Sequence, residues 1–223
     1  MREIVLDTET TGLDPAAGHR IVEVAGVELL NHVATGRTYQ VYLDPQRDMP
    51  DEAFRVHGLS REFLSQHRTF DREVEDILAF LGDARLVIHN AEFDLRFLNH
   101  ELKHMGREPL ANESVDTVQI ARRRFPGAQV NLDALCKRFE IDNAARELHG
   151  ALLDCQLLAE VYLELRGGRQ PGLELAADRP AAEAEFVPRE RSYREPRRHA
   201  ETAEEQARHV AMLEKLSSPI WRG

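Results

Sequence analysis

The chain has 223 residues, with 29 Lys+Arg against 39 Asp+Glu, a formal net charge of -10 and 42% hydrophobic residues. At roughly 100–200 residues per domain, that is one sizeable domain, or one domain and a tail. No run approaches the ~18 apolar residues of a membrane helix, Met1-Arg2-Glu3 is followed by no signal-peptide stretch, and Cys136 and Cys155 form neither a disulfide framework nor a metal-ligand spacing, so a cytoplasmic protein is expected.

Ile4-Val5-Leu6 reads as a short buried strand. Arg20 to Glu28 alternates apolar and charged residues through part of its length, which predicts a half-exposed strand. Thr38 to Leu43 is rich in β-formers and stops at the turn signal Asp44-Pro45. Three strands with short links suggest an antiparallel meander. The period then changes: Val74, Ile77, Leu78 and Leu81 recur at helical spacing, and Leu86-Val87-Ile88 is a further buried strand. Asn90 is placed to cap a helix carrying Phe93, Phe97, Leu98 and Leu102. Asn131 caps a stripe of Leu132, Leu135, Cys136 and Phe139, and a last helix is expected from about Gly150 to Leu165. Antiparallel strands followed by strand–helix units predict an α/β fold, a mixed sheet with helices packed on it.

After Arg166 the character changes. Gly167-Gly168 and Pro171, Pro180, Pro188 and Pro196 punctuate a stretch without periodicity, so residues 167–200 read as a flexible linker. Thr202-Ala203-Glu204-Glu205 carries a capping-box pattern and predicts a helix from Ala203 to Leu216, before the chain's only Trp, Trp221. Residues 1–166 hold 19 Lys+Arg and 29 Asp+Glu, so the whole acidic excess lies there. Such a domain binds polyanions poorly by itself, because phosphate affinity comes from Lys and Arg. Were its substrate a nucleic acid, metal ions or a partner would have to help hold it.

Some of those acids stand in unexpected places. Asp7 and Glu9, two apart on a strand, project from one face; a metal pair and two solvated loop acids both fit them. Asp94 heads a partly apolar helix stripe with Phe97, Leu98 and Glu101 at i+3, i+4 and i+7, and Asp154 heads another with Leu157, Leu158, Val161 and Leu165. A carboxylate turned toward a core is costly unless it is paired or bound to metal. Position at a helix N-terminus explains the acid but not the apolar face, and Arg146 and Arg166 stand too far along the chain to neutralise Asp154 at helical spacing. Four such acids would form an oxygen-rich cage for hard cations such as Mg²⁺ or Mn²⁺. Two of these ions would also supply the positive charge the domain lacks. His149, five residues before Asp154, cannot share its helical face and is expected on the preceding loop as a general base. His89 reads as end-of-strand scaffolding, and His57 fits either role.

Taken together, Val5 to Gly12, His89 to Asp94 and His149 to Asp154 resemble the three exonuclease motifs of the DEDDh (DnaQ-like) family. The resemblance covers residues 2–166 and implies a ribonuclease-H-like fold, a mixed β-sheet flanked by helices, removing nucleotides from 3′ ends with two divalent cations, Mg²⁺ or Mn²⁺. Asp51 to Gly58, Leu132 to Cys136 and Ser218 to Arg222 look like the proofreading subunits of bacterial DNA polymerase III. On that likeness Asp7, Glu9, Asp94 and Asp154 are metal ligands and His149 is the base. Glu52 and His57, with Asp7, Glu9 and Asp154, then meet the terminal nucleotide. Gln170 to Leu175 is similar to sliding-clamp-binding peptides, through Gln170, Leu173 and Leu175, and fits a plain linker equally. Residues 201–223 resemble a segment that docks on the polymerase catalytic subunit, with Trp221 as an aromatic anchor. The implied organisation is an exonuclease domain (1–166), a linker (167–200) and a docking tail (201–223). The implied activity is a 3′–5′ DNA exonuclease that proofreads. The alternatives are a DEDDh ribonuclease trimming RNA ends and a mainly structural polymerase subunit.

Overall fold

The computed structural model describes residues 1–144, 146, 148–168 and 201–216. The calls on linker residues 169–200, including Gln170, Leu173 and Leu175, and on Trp221 lie outside the described residues. The chain divides into two compact units, Met1–Leu175 and Ala176–Gly223.

In the first unit, β1 (Arg2–Thr10), β2 (Ile21–Leu30) and β3 (Val33–Tyr42) form the expected antiparallel meander, and β4 (Arg85–Ile88) and β5 (Ser114–Asp116) extend it in parallel, in the order β3-β2-β1-β4-β5. Strand β1 is therefore central. Its alternate residues serve two cores. Ile4 and Leu6 pack with α3 (Phe70–Leu81) and α4 (Ala91–His104) on one face. Val5 packs with α5 (Thr117–Arg124), α6 (Leu132–Phe139) and α7 (Ala151–Leu165) on the other. Each buried Ile, Leu or Phe contributes about 1.5–3 kcal/mol, so the register of β1 is strongly fixed. Two short helices, α1 (Asp51–His57) and α2 (Arg61–Leu64), lie between β3 and α3.

Strand β2 departs from expectation. It is buried along nearly its whole length, not half-exposed, because helices cover both faces of the sheet. Its Glu23 is 1% exposed and is satisfied by Gln40 Nε2 and the Ala151 N–H at the start of α7. Gly26 admits the Phe80 ring, which would lie 2.7 Å from a Cβ at that position. Asn131 caps α6 through its side chain, donated to by the Ala134 N–H at 2.8 Å. Asn90 precedes α4 in the left-handed region (φ 73) and makes no side-chain cap. Both cysteines are buried and free.

In the second unit, α8 (Ala203–Leu213) opens with the predicted capping box between Thr202 and Glu205 and leaves Val210 and Met212 exposed. No helix among the described residues is long and apolar enough to cross a membrane.

Candidate active site

Strand alternation decides where the acids go. Residues of β1 in register with Val5 face α7, so Asp7 and Glu9 turn toward Asp154, while Thr8 turns the opposite way toward α4. There the Thr8 N–H (3.0 Å) and hydroxyl (2.7 Å) both donate to Asp94 Oδ1. Glu9 lies opposite Glu23 in the β1–β2 ladder, where the register shifts by a bulge. Glu9, Asp94 and Asp154 are buried, and Asp7 is partly so.

Crowding shifts these groups. Burial, then the charges of Asp94, Glu9, Asp154 and Glu23, pushes the Asp7 carboxyl well above the usual carboxylate range. Burial, then Glu23 and Asp154, raises Glu9 to about 8. Burial raises Asp94 to about 7 despite its two bonds from Thr8. Asp154 behaves differently: against the burial that would raise it, the hydrogen bonds and charge of Arg146 hold it below its ordinary value.

That partner corrects the sequence reading. Arg146 is too far away at helical spacing, but it lies outside any helix and its side chain reaches Asp154. Its Nε and terminal nitrogen grip the two oxygens of Asp154 at 2.6 and 2.7 Å, its other nitrogen reaches Asp133 at 2.9 Å, and its side chain is 7% exposed. Arg146 also donates to His149 Nδ1 at 2.9 Å, and His149 stands 3.4 Å from Asp154. The imidazole is half-exposed on the loop, as expected, and the His149 N–H ties that loop to Val56 of α1. Oxygen and nitrogen atoms of Glu9, His149 and Asp154 lie within 4.8 Å of one another. Asp7 and Asp94 border this group electrostatically without joining it.

Beside Glu9 opens a cavity of about 540 Å³ lined by Leu13, Glu52, Ala53, Val56, His57 and Phe93, among others. His57 is buried; its Nδ1 accepts from the Leu59 N–H at 3.0 Å and its Nε2 has no partner at hydrogen-bonding geometry. Burial lowers its pKa, with the nearby Thr10 backbone pulling the other way. Glu52 is exposed on the cavity wall. His89 holds Thr117 at 2.9 Å at the start of α5, which suits scaffolding. Sequence reasoning missed Thr8, Glu23 and Arg146. Only Glu23 carried a signal, an acid inside a β-forming run.

Among the described residues the cluster of Asp7, Glu9, Glu23, Asp94 and Asp154 sets five carboxylates against a single guanidinium, and four of the five are pushed up, chiefly by burial. Its donors are mainly oxygens, so the residues fit hard divalent cations.

A central strand bearing two acids, acids on two helices packed against its opposite faces, and a histidine just ahead of the last helix define the DEDDh nucleases. The RNase_T exonuclease family matches residues 4–162. The DNA polymerase III subunit epsilon of Escherichia coli K12 is 42% identical over 236 residues, covering 99% of this chain and 97% of its own; that of Rickettsia felis is 53% identical over 179 residues, 78% of each. Among solved structures, exonuclease X in complex with 5′-overhanging duplex DNA superposes with a TM-score of 0.58 at 25% identity, over 73% of this chain and 90% of that one. The nuclease domain of 3′hExo, a DEDDh family member bound to rAMP, shares the fold with a TM-score of 0.65 at 20% identity, over 74% and 90%. The chain belongs to the DEDDh exonuclease family, in its DNA polymerase III epsilon subunit branch.

Proposed function

We propose that this chain removes nucleotides from DNA 3′ ends as the proofreading exonuclease of the replicative DNA polymerase III. The observation that carries the chemistry is the convergence of Glu9, Asp154 and His149 at the end of β1, with Asp7 and Asp94 alongside. Asp7, Glu9, Asp94 and Asp154 would hold two divalent cations, Mg²⁺ or Mn²⁺. When bound, these supply positive charge that stabilises the phosphoryl oxygens and acidifies water. The apolar cavity walled by Leu13, Val56 and Phe93 accepts the terminal base, with Glu52 and His57 at its edge. The half-exposed His149 takes the proton of the attacking water, the task of a positioned general base. Asp154 and Arg146 orient its ring. Water oxygen bonds to the terminal phosphorus, the bond from phosphorus to the 3′ oxygen of the preceding sugar breaks, and that oxygen is protonated. A nucleoside 5′-monophosphate leaves.

The domain reading assigns catalysis to residues 1–166, tethering to 167–200 and docking to 201–223. The exposed Val210 and Met212 of α8 support an apolar contact with the polymerase catalytic subunit. Gln170, Leu173 and Leu175 would reach the sliding clamp and Trp221 the polymerase. The setting proposed is the cytoplasm. Single-turnover digestion of 5′-labelled primers, matched and 3′-mismatched, beside an RNA strand of the same sequence, tests the whole reading in Mg²⁺, Mn²⁺ and EDTA. Stepwise, metal-dependent loss that is faster from unpaired DNA ends is expected. Preference for RNA would favour a ribonuclease, and no digestion would leave a structural subunit.

A further inference from the structure

A second cavity, of about 690 Å³, borders the opening turn of α4, as the first does, and shares no residue with it. Its wall is polar: His89, Asn90, Asp116, Gln119, Arg122 and Asn131. The two cavities flank one turn of α4. At about 100° per residue, Ala91, Glu92 and Leu95, which border the second cavity, point one way, Phe93 of the first points another, and Asp94 falls between them. A strand whose 3′ nucleotide lay against Phe93, with its terminal phosphate beside Asp94, would meet the second cavity next across that turn.

Arg122 is the group there that can meet such a strand. Most arginines of this acidic domain are committed: Arg20 to Glu101, Arg85 to Glu113, Arg146 to Asp154, and Arg124 to the carbonyls ending α7. Arg122 is exposed on the cavity wall and enters no ion pair. Of the acids bordering the cavity, Asp116 is turned onto the N–H groups of Asn90 and Val118 and onto Gln119, while Glu92 stands exposed at the rim. We infer that this cavity binds the phosphodiester backbone of the single DNA strand just 5′ of the nucleotide being removed, with Arg122 as its phosphate contact. The inference rests on the nuclease reading above.

The test compares Arg122→Gln with Arg123→Gln, a neighbouring exposed arginine that does not border the cavity. Both full-length variants are assayed on a ten-nucleotide oligothymidylate and on the dinucleotide, across 50–200 mM salt. R122Q is expected to raise KM for the ten-mer about five- to tenfold with kcat little changed. It should also lessen the salt slope of log KM by roughly 0.7, the share of one phosphate on a single strand. The ten-mer to dinucleotide ratio of kcat/KM should fall accordingly, R123Q should match wild type, and Glu92→Gln should lower KM. An equal effect of R122Q and R123Q, or an equal penalty on both substrates, overturns the inference. A wild-type chain that digests both substrates while R122Q is indistinguishable from it overturns the groove alone. One that digests neither overturns the nuclease reading itself.

Discussion

Metal binding should be strongly proton-linked, and the structure sets its size. With Glu9 at about 8 and Asp94 at about 7, and Asp7 pushed up beside them, the cluster holds protons in the metal-free chain at pH 7, while Arg146 holds Asp154 below its ordinary value. Cations require ionised carboxylates, so binding expels those protons. About nine-tenths of a proton from Glu9 and half from Asp94 sum to about 1.4 near pH 7, declining to about a tenth at pH 9. Apparent Mn²⁺ affinity should then climb by at least about one decade per pH unit around neutrality, and less steeply above it. Stability runs the opposite way. The folded values lie above the ordinary carboxylate ones, so the protonated cluster's contribution is intact at acid pH and is lost as pH rises through 7 to 8. In EDTA the melting temperature should fall from pH 6 to 9, and saturating Mn²⁺ should flatten that fall. Calorimetric titration in two buffers of different ionisation enthalpy counts the protons directly. An affinity independent of pH with no proton released would mean the acids are already ionised, and the burial argument would be wrong.

His149→Ala should fold and bind DNA but lose about 10²–10⁴ of kcat, the share of a positioned base; single-turnover rates decide, and retained turnover would remove His149 from the mechanism. Asp7→Asn and Asp154→Asn should likewise abolish digestion. Asp7→Asn should nevertheless raise the melting temperature of the metal-free chain at pH 8, since it replaces a carboxyl whose ionisation burial and the neighbouring acids oppose. Arg146→Gln leaves Asp154 buried among acids and should cost about 3–5 kcal/mol in EDTA by chemical denaturation, most of it recovered with Mn²⁺. Arg20→Met strands Glu101, whose side chain is 3% exposed and is held by Arg20 at 2.6 and 2.7 Å. A loss of similar size is expected, relieved when Glu101→Met is added.

The fold was legible wherever one face alone governs a segment. Val74 to Leu81, Leu132 to Phe139 and Ala151 to Leu165 each bury one stripe, and the apolar spacing finds them. Strand β5 escaped because it is three residues long and owes its existence to pairing with β4, not to a pattern of its own. Strand β2 was misread for a related reason. Alternating Glu residues normally mark a solvent face, but here both faces are covered, and the acids are satisfied locally: Glu23 by Gln40 and the start of α7, Glu28 by Arg2. Helical and strand periods report an element's own faces; they do not report what packs over them.

The acids of the site were visible for the converse reason. A carboxylate on an apolar stripe contradicts the pattern around it, so Asp94 and Asp154 stood out without any knowledge of their partners. What spacing could not supply was the partner itself. Helical geometry excludes Arg146 from Asp154 only if one helix holds both, and α7 begins only at Ala151, which lets one guanidinium serve Asp154, Asp133 and His149 together. That single cation also shows why the cluster demands more. Five carboxylates crowd the end of β1, one of them is neutralised by Arg146, and the carboxyls of Asp7, Glu9, Glu23 and Asp94 are all pushed up. The charge deficit that makes the metal-free site uneasy is the same deficit that two divalent cations would fill, so stability and reactivity here follow from one electrostatic imbalance.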